Sequence, residues 1–214
     1  IEPVYEVSIL ENKVSLRPQA EPNLSEQWGL ENENDTDVNI LEAWKHTKGD
    51  KTVIVAVIDT GAEYTHKDLA DSMWLNKNEI PNNGIDDDKN GYVDDYRGWN
   101  FYGNSSDPMD DNGHGTHCSG IIAGGGAKIW GTSPNIKIMP LKFLGFNGSG
   151  STASAIEAVD YAITMGAHIL SNSWGGGSYS KALEEAFMRA EQKNILAVSA
   201  SGNSGADTEI YPMY

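Results

Sequence analysis

The segment DDNGHGTHCSG, residues 110–120, places His114 between two glycines. The glycines leave its ring uncrowded and so accessible. An imidazole can accept and donate protons near neutral pH. Asp59 ends the apolar run TVIVAVID, and a carboxylate there can hold a histidine in one tautomer and stabilise its protonated form. The pair predicts a general base with an orienting acid. A turn-capping aspartate and a structural histidine are the alternative, since both are common in proteins.

The histidine and the cysteine that follow in this segment are predicted to be structural. His117 is expected to face the interior and to pack there. Cys118 lies close to the candidate base, where it could make the protein sensitive to thiol reagents. A small buried hydrophobic residue is the simpler interpretation of this cysteine.

A second candidate site is the acidic segment NGIDDDKNGYVDDYRG, residues 83–98. Its oxygen-bearing residues repeat the one-three-five-seven spacing of a calcium loop, with Gly91 at the tight turn. Arg97 stands where such a loop has its closing glutamate, so Asp94 or Asp95 must complete the site. The predicted Ca²⁺ ligands are Asp86, Asp88, Asn90, the Tyr92 carbonyl and Asp95. A solvated acidic loop without an ion is the alternative.

The elements that must position these residues alternate along the chain. After the run that ends at Asp59, the sequence predicts a small-residue helix from His114, a strand NIKIMPLKFL and a helix STASAIEAVDYAITMG that stops at Gly166. A strand HILSNSW, a helix opened by a serine cap and a strand ILAVSASGN follow. This order predicts an α/β fold with a doubly wound parallel sheet and helices on both faces.

Four polar segments follow predicted strands, at residues 59–61, 144–150, 173–176 and 201–203. In a parallel sheet the carboxyl ends of the strands share one edge, and functional groups gather there. The sequence therefore predicts one site at that edge.

The segments VAVIDTG, HGTHCSG, GSGS, NSWGGG and SASGN stand in the order and spacing of the subtilases, the subtilisin-like serine protease family. The resemblance runs from about Gln27 to Tyr214, and the cysteine in HGTHC is similar to the proteinase K and thermitase branches. It implies that Asp59 orients the base His114 and that Asn203 donates its amide to the oxyanion.

The resemblance also implies where an extended polypeptide substrate binds. Two glycine-flanked strand ends would sandwich the peptide through backbone hydrogen bonds. The predicted substrate-binding residues are Gly148, Ser149, Gly150, Ser173, Trp174 and Gly175.

A subtilase also needs a serine in a GTSMAxP segment, which these 214 residues do not contain. The GTS at residues 131–133 is followed by PNI, and it comes too soon after His114 to be the segment that contains this serine. The expectation is that residues 23–214 form the first two-thirds of a catalytic domain, incomplete at the C-terminus, with about a third absent. The chain would then be a fragment or one chain of a nicked enzyme, inactive by itself.

The start of the chain, IEPVYEV, resembles the last strand of the family's inhibitory propeptide. Residues 1–22 are accordingly expected to be the end of a propeptide that acts as an intramolecular inhibitor, followed by a maturation linker. The maturation junction is expected between Ser8 and Pro22.

The composition of the chain excludes some classes of binding partner. The chain has 15 Lys and Arg against 31 Asp and Glu, a net charge of −16, which argues against nucleic acid as a partner. No apolar run approaches membrane-spanning length, and one cysteine excludes an internal disulfide.

The function that the resemblance implies is a secreted, calcium-dependent serine endopeptidase. A non-catalytic peptide-binding domain and a metal-dependent hydrolase are the alternatives, although all-oxygen ligands suit calcium better than a catalytic transition metal.

Overall fold

Eight strands and four α-helices form the described part of the computed structural model, which covers residues 3–9, 24–126 and 128–210. The strands are β1 (Glu6–Ile9), β2 (Ile54–Asp59), β3 (Trp99–Asn100), β4 (Lys137–Lys142), β5 (Ser149–Ser151), β6 (Ile169–Asn172), β7 (Trp174–Gly175) and β8 (Leu196–Ser199). The helices are α1 (Ile40–Trp44), α2 (His114–Ala123), α3 (Thr152–Thr164) and α4 (Lys181–Gln192), with short 3₁₀ turns at Leu24–Glu26 and Ala70–Ser72.

Five parallel strands form the central sheet, in the order β3-β4-β2-β6-β8. The centre strand β2 is apolar on both faces, since Val55 and Val57 pack in one cluster and Ala56 and Ile58 in another. The first cluster also contains Ala123 of α2, whereas the second contains the buried faces of α3 and α4. The predicted doubly wound sheet with helices on both faces is confirmed.

The residues that the sequence indicated as helix ends do cap or terminate α3 and α4. Ser151 caps α3 by accepting a hydrogen bond from Ser154 N, and Ser180 caps α4 in the same way through Leu183 N. Gly166 has a φ of +74° just beyond α3, the left-handed conformation that ends many helices. The predicted capping serine and stop glycine are therefore confirmed.

Three short strands form a second sheet in the order β5-β1-β7. Strand β1 lies in the middle and is antiparallel to both neighbours, with Val7 opposite Gly150 and Ile9 opposite Trp174. Val7 is 2% exposed and belongs to the core cluster that contains α3 and α4. The N-terminal segment is thus integrated with the body of the molecule.

Helix α1 buries Ile40, whereas Leu41 within it and Val38 just before it are exposed. The proposed maturation junction falls almost entirely on residues 10–23, which lie outside the described residues. No helix in the described ranges is long and apolar enough to cross a bilayer.

Candidate active site

His114 and Asp59 meet at the carboxyl edge of the central sheet. Nδ1 of His114 lies 2.7 Å from Oδ1 of Asp59, and both side chains are buried. Because a carboxylate can only accept, the imidazole donates its Nδ1–H and keeps Nε2 as a free acceptor for a proton. This is the tautomer that a general base requires.

The contact depends on a close approach of α2 to the end of β2. A Cβ on Gly115 would lie 2.1 Å from the Gly61 carbonyl oxygen and 3.1 Å from Asp59 Cβ, so only glycine fits beside the acid. Gly61 is equally constrained, since its φ is +108° and a Cβ would lie 2.3 Å from the Pro108 carbonyl oxygen. These two glycines allow the histidine and the aspartate to approach each other.

The first turn of α2 is held by side chains from the segment before it and from the residue that follows β2. Asp110 accepts hydrogen bonds from Gly113 N and Thr116 N, and Asn112 accepts one from His114 N. Thr60 Oγ1 accepts the Gly115 N–H at 2.9 Å. Since the first N–H groups of a helix lack partners within the helix, these contacts fix the position of His114 on the sheet edge.

Thr60 also donates its backbone N–H to Asp59 Oδ1 at 2.7 Å, so one carboxylate oxygen accepts from both His114 and Thr60. The other oxygen, Oδ2, is buried without a hydrogen-bond partner in the described part of the chain.

Burial and the mutual contact act in opposite directions on the two groups. Burial lowers the pKa of His114, and the hydrogen bond and charge of Asp59 raise it. The raising effects together outweigh burial, so the net shift of this pKa is upward. Burial raises the pKa of the Asp59 carboxyl, and the hydrogen bond to His114 opposes that shift. The contact therefore stabilises a protonated imidazole beside an ionised carboxylate.

The structure corrects the expectation for His117 and supports that for Cys118. His117 is exposed on α2 rather than packed in the interior, because Cys118, Ser119 and Ala123 form the face that meets the sheet. Cys118 is partly buried against the apolar cluster, with its Sγ 4.0 Å from His114 Nδ1.

The segments predicted to bind substrate flank a single extended strand. Strand β5 contains Ser149 and Gly150, strand β7 contains Trp174 and Gly175, and β1 lies between them. Ile9 N donates to the Gly148 carbonyl at 2.9 Å. Ser173 lies in the chain directly before β7. The two segments thus form the walls of a groove in which β1 completes an antiparallel sheet.

Asn203 lies in the exposed segment after β8, at the same edge of the sheet as Asp59. No hydrogen bond joins Asn203 to Asp59 or His114 within the described ranges. The predicted role at the oxyanion stays a prediction.

The acidic segment folds into a tight loop stabilised by its own carboxylates. Asp86 accepts from Asn90 N and Gly91 N, and Gly91 has the predicted left-handed backbone with a φ of +98°. Asp94 accepts from Asn83 N and Gly84 N. The loop is therefore ordered by side-chain acceptors as well as by its glycines.

One residue of this loop region was missed by the sequence reasoning. Carboxylate oxygens of Glu79, Asp86 and Asp88 lie within 4.8 Å of one another. Glu79 is 4% exposed, its Oε1 accepts from Asp87 N and Asp88 N, and its Oε2 has no hydrogen-bond partner among the described residues. Glu79 precedes the acidic run by seven positions, so no ligand spacing in the sequence indicated it.

Asp95, the predicted fifth ligand, is engaged elsewhere. Its Oδ1 accepts from Asn76 Nδ2, and its Oδ2 accepts from Asn90 Nδ2 and from the Tyr161 hydroxyl at 2.6 Å. Tyr161 belongs to α3, so Asp95 joins the acidic loop to the helix that follows strand β5. The structure brings Glu79 rather than Asp95 into the carboxylate cluster.

With this geometry established, comparison with known proteins identifies the family. The model of the subtilase family matches residues 50–212. The chain belongs to the subtilase family. Among curated subtilases, "Subtilisin-like protease 1" of Plasmodium falciparum (isolate 3D7) is 35% identical over 184 residues, covering 83% of this chain and 26% of that protein.

"Minor extracellular protease Epr" of Bacillus subtilis (strain 168) is 33% identical over 182 residues, covering 84% of this chain and 24% of that protein. A solved structure of a cold adapted subtilisin-like serine proteinase matches 76% of this chain and 51% of its own, with a TM-score of 0.58 and 30% identity. The chain thus spans only about a quarter of these two curated subtilases, and the fold expected from the resemblance is confirmed.

The first prediction for this subtilase concerns the titration of His114. We expect its pKa, followed by NMR of ¹⁵N-labelled histidine, to lie above the ordinary value of about 6.5 and to fall in Asp59→Asn, because the amide carries no charge. Since the folded pKa of His114 is raised, the stability contributed by its protonated imidazole is fully present below the unfolded pKa of histidine, as long as Asp59 stays ionised. It is lost as the pH rises through the folded pKa.

Asp160→Asn provides the control, because it removes an exposed carboxylate on α3 that pairs with Arg189. This variant should leave the His114 titration unchanged. If Asp59→Asn also left it unchanged, the carboxylate would not act on the imidazole.

Proposed function

We propose that the protein is a secreted serine endopeptidase that hydrolyses extended polypeptides through an Asp–His–Ser triad whose serine lies beyond the printed sequence. The observation that carries this proposal is the buried 2.7 Å contact between His114 Nδ1 and Asp59 Oδ1. Membership of the subtilase family supports it.

In the proposed reaction, His114 acts as the general base. Its free Nε2 accepts the serine proton as the hydroxyl attacks the scissile carbonyl, and the imidazolium later protonates the leaving amine. Asp59 keeps the ring in the required tautomer and stabilises the imidazolium, an effect that burial strengthens because the local dielectric is low. Asn203 would donate its side-chain amide to the oxyanion.

The groove between β5 and β7 would bind the substrate mainly through its backbone. Strand β1 illustrates this mode, since Glu6 to Ile9 pair with Ser149–Ser151 on one side and with Trp174 and Gly175 on the other. A Cβ on Gly150 would lie 2.3 Å from the Phe143 carbonyl oxygen, so this wall of the groove requires glycine. Backbone pairing is largely indifferent to substrate sequence, which suits a protease acting on many polypeptides.

Strand β1 itself we propose to be the tail of the inhibitory propeptide, with residues 1–22 as propeptide end and linker and 23–214 as catalytic domain. Its position between the two walls blocks any other peptide, as an intramolecular inhibitor must. N-terminal sequencing of the secreted protein should place the mature start after Ser8. A mature protein that begins at Ile1 would contradict this assignment.

The acidic loop we propose to be a Ca²⁺ site, and its residues fit that ion. The candidates offer only oxygen ligands, which calcium prefers, and a cation would relieve both the repulsion among the carboxylates and the unpaired Glu79 Oε2. The proposed ligands are Asp86, Asp88, Asn90 and the Tyr92 carbonyl, with Glu79 in place of Asp95. Bound calcium would supply charge neutralisation and rigidity rather than chemistry.

Secretion is proposed because the similar Bacillus protein is named as extracellular. The proposed calcium site agrees with an extracellular location.

One observation favours a second candidate, a metal-dependent hydrolase. Asp59, His114 and Cys118 offer oxygen, nitrogen and sulfur atoms within 4.8 Å of one another, a mixture that zinc accepts. The alternative of a non-catalytic peptide-binding domain requires only the groove.

One assay separates these functions. We expect the complete protein, expressed with everything downstream of Tyr214, to cleave casein and to lose all activity with a serine-directed inhibitor. EDTA should inactivate it slowly, in step with unfolding followed by circular dichroism, because calcium would stabilise the fold without taking part in the reaction.

Immediate loss with EDTA and resistance to the serine-directed inhibitor would instead identify the metal enzyme. No cleavage by a correctly folded protein would leave the peptide-binding domain.

The calcium proposal predicts opposite effects of Glu79→Gln with and without the ion. Without calcium the variant should be more stable than the wild type, because an amide replaces a buried unpaired oxygen beside two carboxylates. With calcium it should bind the ion about tenfold more weakly, because affinity depends on ligand charge. Thermal unfolding and calcium titration calorimetry measure the two effects.

Glu63→Gln is the control, since Glu63 is exposed and outside the cluster. Equal calcium affinity in the wild type and in Glu79→Gln would contradict the assignment of Glu79 as a ligand.

A further inference from the structure

A buried lysine lies next to the catalytic pair and has no role in the proposed reaction. Lys142 is the last residue of β4, its side chain is 3% exposed, and it stands opposite Asp59 in the parallel register. A buried ammonium is costly unless every donor is paired, so its partners indicate what it does.

All three donors of the Lys142 ammonium are used. Nζ donates to the Thr60 carbonyl at 2.7 Å, to the Leu144 carbonyl at 2.8 Å and to Asp111 Oδ1 at 2.6 Å. An ammonium has three N–H donors, so this set saturates it. The three acceptors belong to three separate chain segments.

Two of these segments hold the catalytic pair. Thr60 follows Asp59, donates to its carboxylate and accepts the N–H of Gly115, the residue after His114. Asp111 lies between Asp110 and Asn112, whose side chains hold the first turn of α2. The ammonium therefore ties the segment of the acid to the segment of the base.

The third segment leads to the substrate groove. Leu144 N donates to the Asp59 carbonyl at 3.3 Å, and Leu144 forms a bridge with Gly150 of β5. Lys142 thus contacts the three segments that lead to the acid, the base and the groove wall.

We propose that Lys142 is a positioning residue whose ammonium sets the separation of Asp59 and His114 by fixing the Thr60 carbonyl and the Asp111 side chain relative to β4. It touches neither substrate nor the reacting atoms. The inference rests on the proposed function for its effect on catalysis, but its effect on the geometry of His114 does not need that function.

Lys142→Met tests the proposal, because it keeps the length of the side chain and removes both charge and donors. Loss of a nearby cation alone would raise the pKa of His114, whereas a looser contact with Asp59 would lower it. The other titratable groups that act on this imidazole, Asp59 and Cys118, are unchanged in the variant. The sign of the shift therefore separates positioning from simple electrostatics.

In the complete protein we expect the pKa of His114, measured by ¹⁵N NMR, to fall in Lys142→Met. We expect kcat on a peptide substrate to fall about tenfold or more with KM nearly unchanged, since misplaced catalytic groups are costly. If the pKa falls in a protein that proves to have no peptidase activity, the positioning claim stands and the proposed function fails. A pKa that rises or stays constant would overturn the positioning claim.

Lys137→Met is the matched control, because it makes the same change at the opposite end of β4, where Nζ donates to the Asp71 carbonyl. It should alter neither the pKa of His114 nor kcat.

If Lys142→Met does not fold, Lys142→Arg decides the question. The guanidinium keeps the charge but is planar and cannot occupy the place of a compact ammonium among three acceptors. A lowered His114 pKa and kcat in this variant would support positioning, and wild-type values of both would overturn it.

Discussion

The hydrogen bond between His114 and Asp59 is the constraint on which the rest of this structure depends. A buried carboxylate beside a buried imidazole requires that a helix start and a strand end approach within van der Waals contact. Gly115 makes that approach sterically feasible, and Thr60 binds both partners. Asp110 and Asn112 fix the helix from the other side.

Helix α3 joins the groove to the acidic loop. Strand β5, one wall of the groove, runs directly into α3, and Tyr161 of α3 donates to Asp95 at the end of the loop. The ring of Tyr92 packs edge-on against the rings of Trp99 and Tyr161. A cation that orders the loop would therefore stabilise α3 and, through it, the wall that pairs with β1.

Sequence patterns were informative where the chemistry is local. The order of strand and helix signals predicted the doubly wound parallel sheet, and Asp59 at the end of an apolar run with His114 at a helix start predicted their pairing, as the structure shows. His117 was placed wrongly, because a helix of small residues has no apolar periodicity that orients its faces. Glu79 and Lys142 gave no signal, since their roles arise only when segments distant in sequence meet.

The central claim is that Asp59 and His114 act as one catalytic unit, and a double-mutant cycle tests it most directly. The kcat of the complete protein should be measured for Asp59→Ala, His114→Ala and the double variant. If the two side chains work together, the double variant will be no slower than His114→Ala alone, because the aspartate acts only through the histidine. Losses that multiply in the double variant would show that the two residues act independently, and would contradict the account.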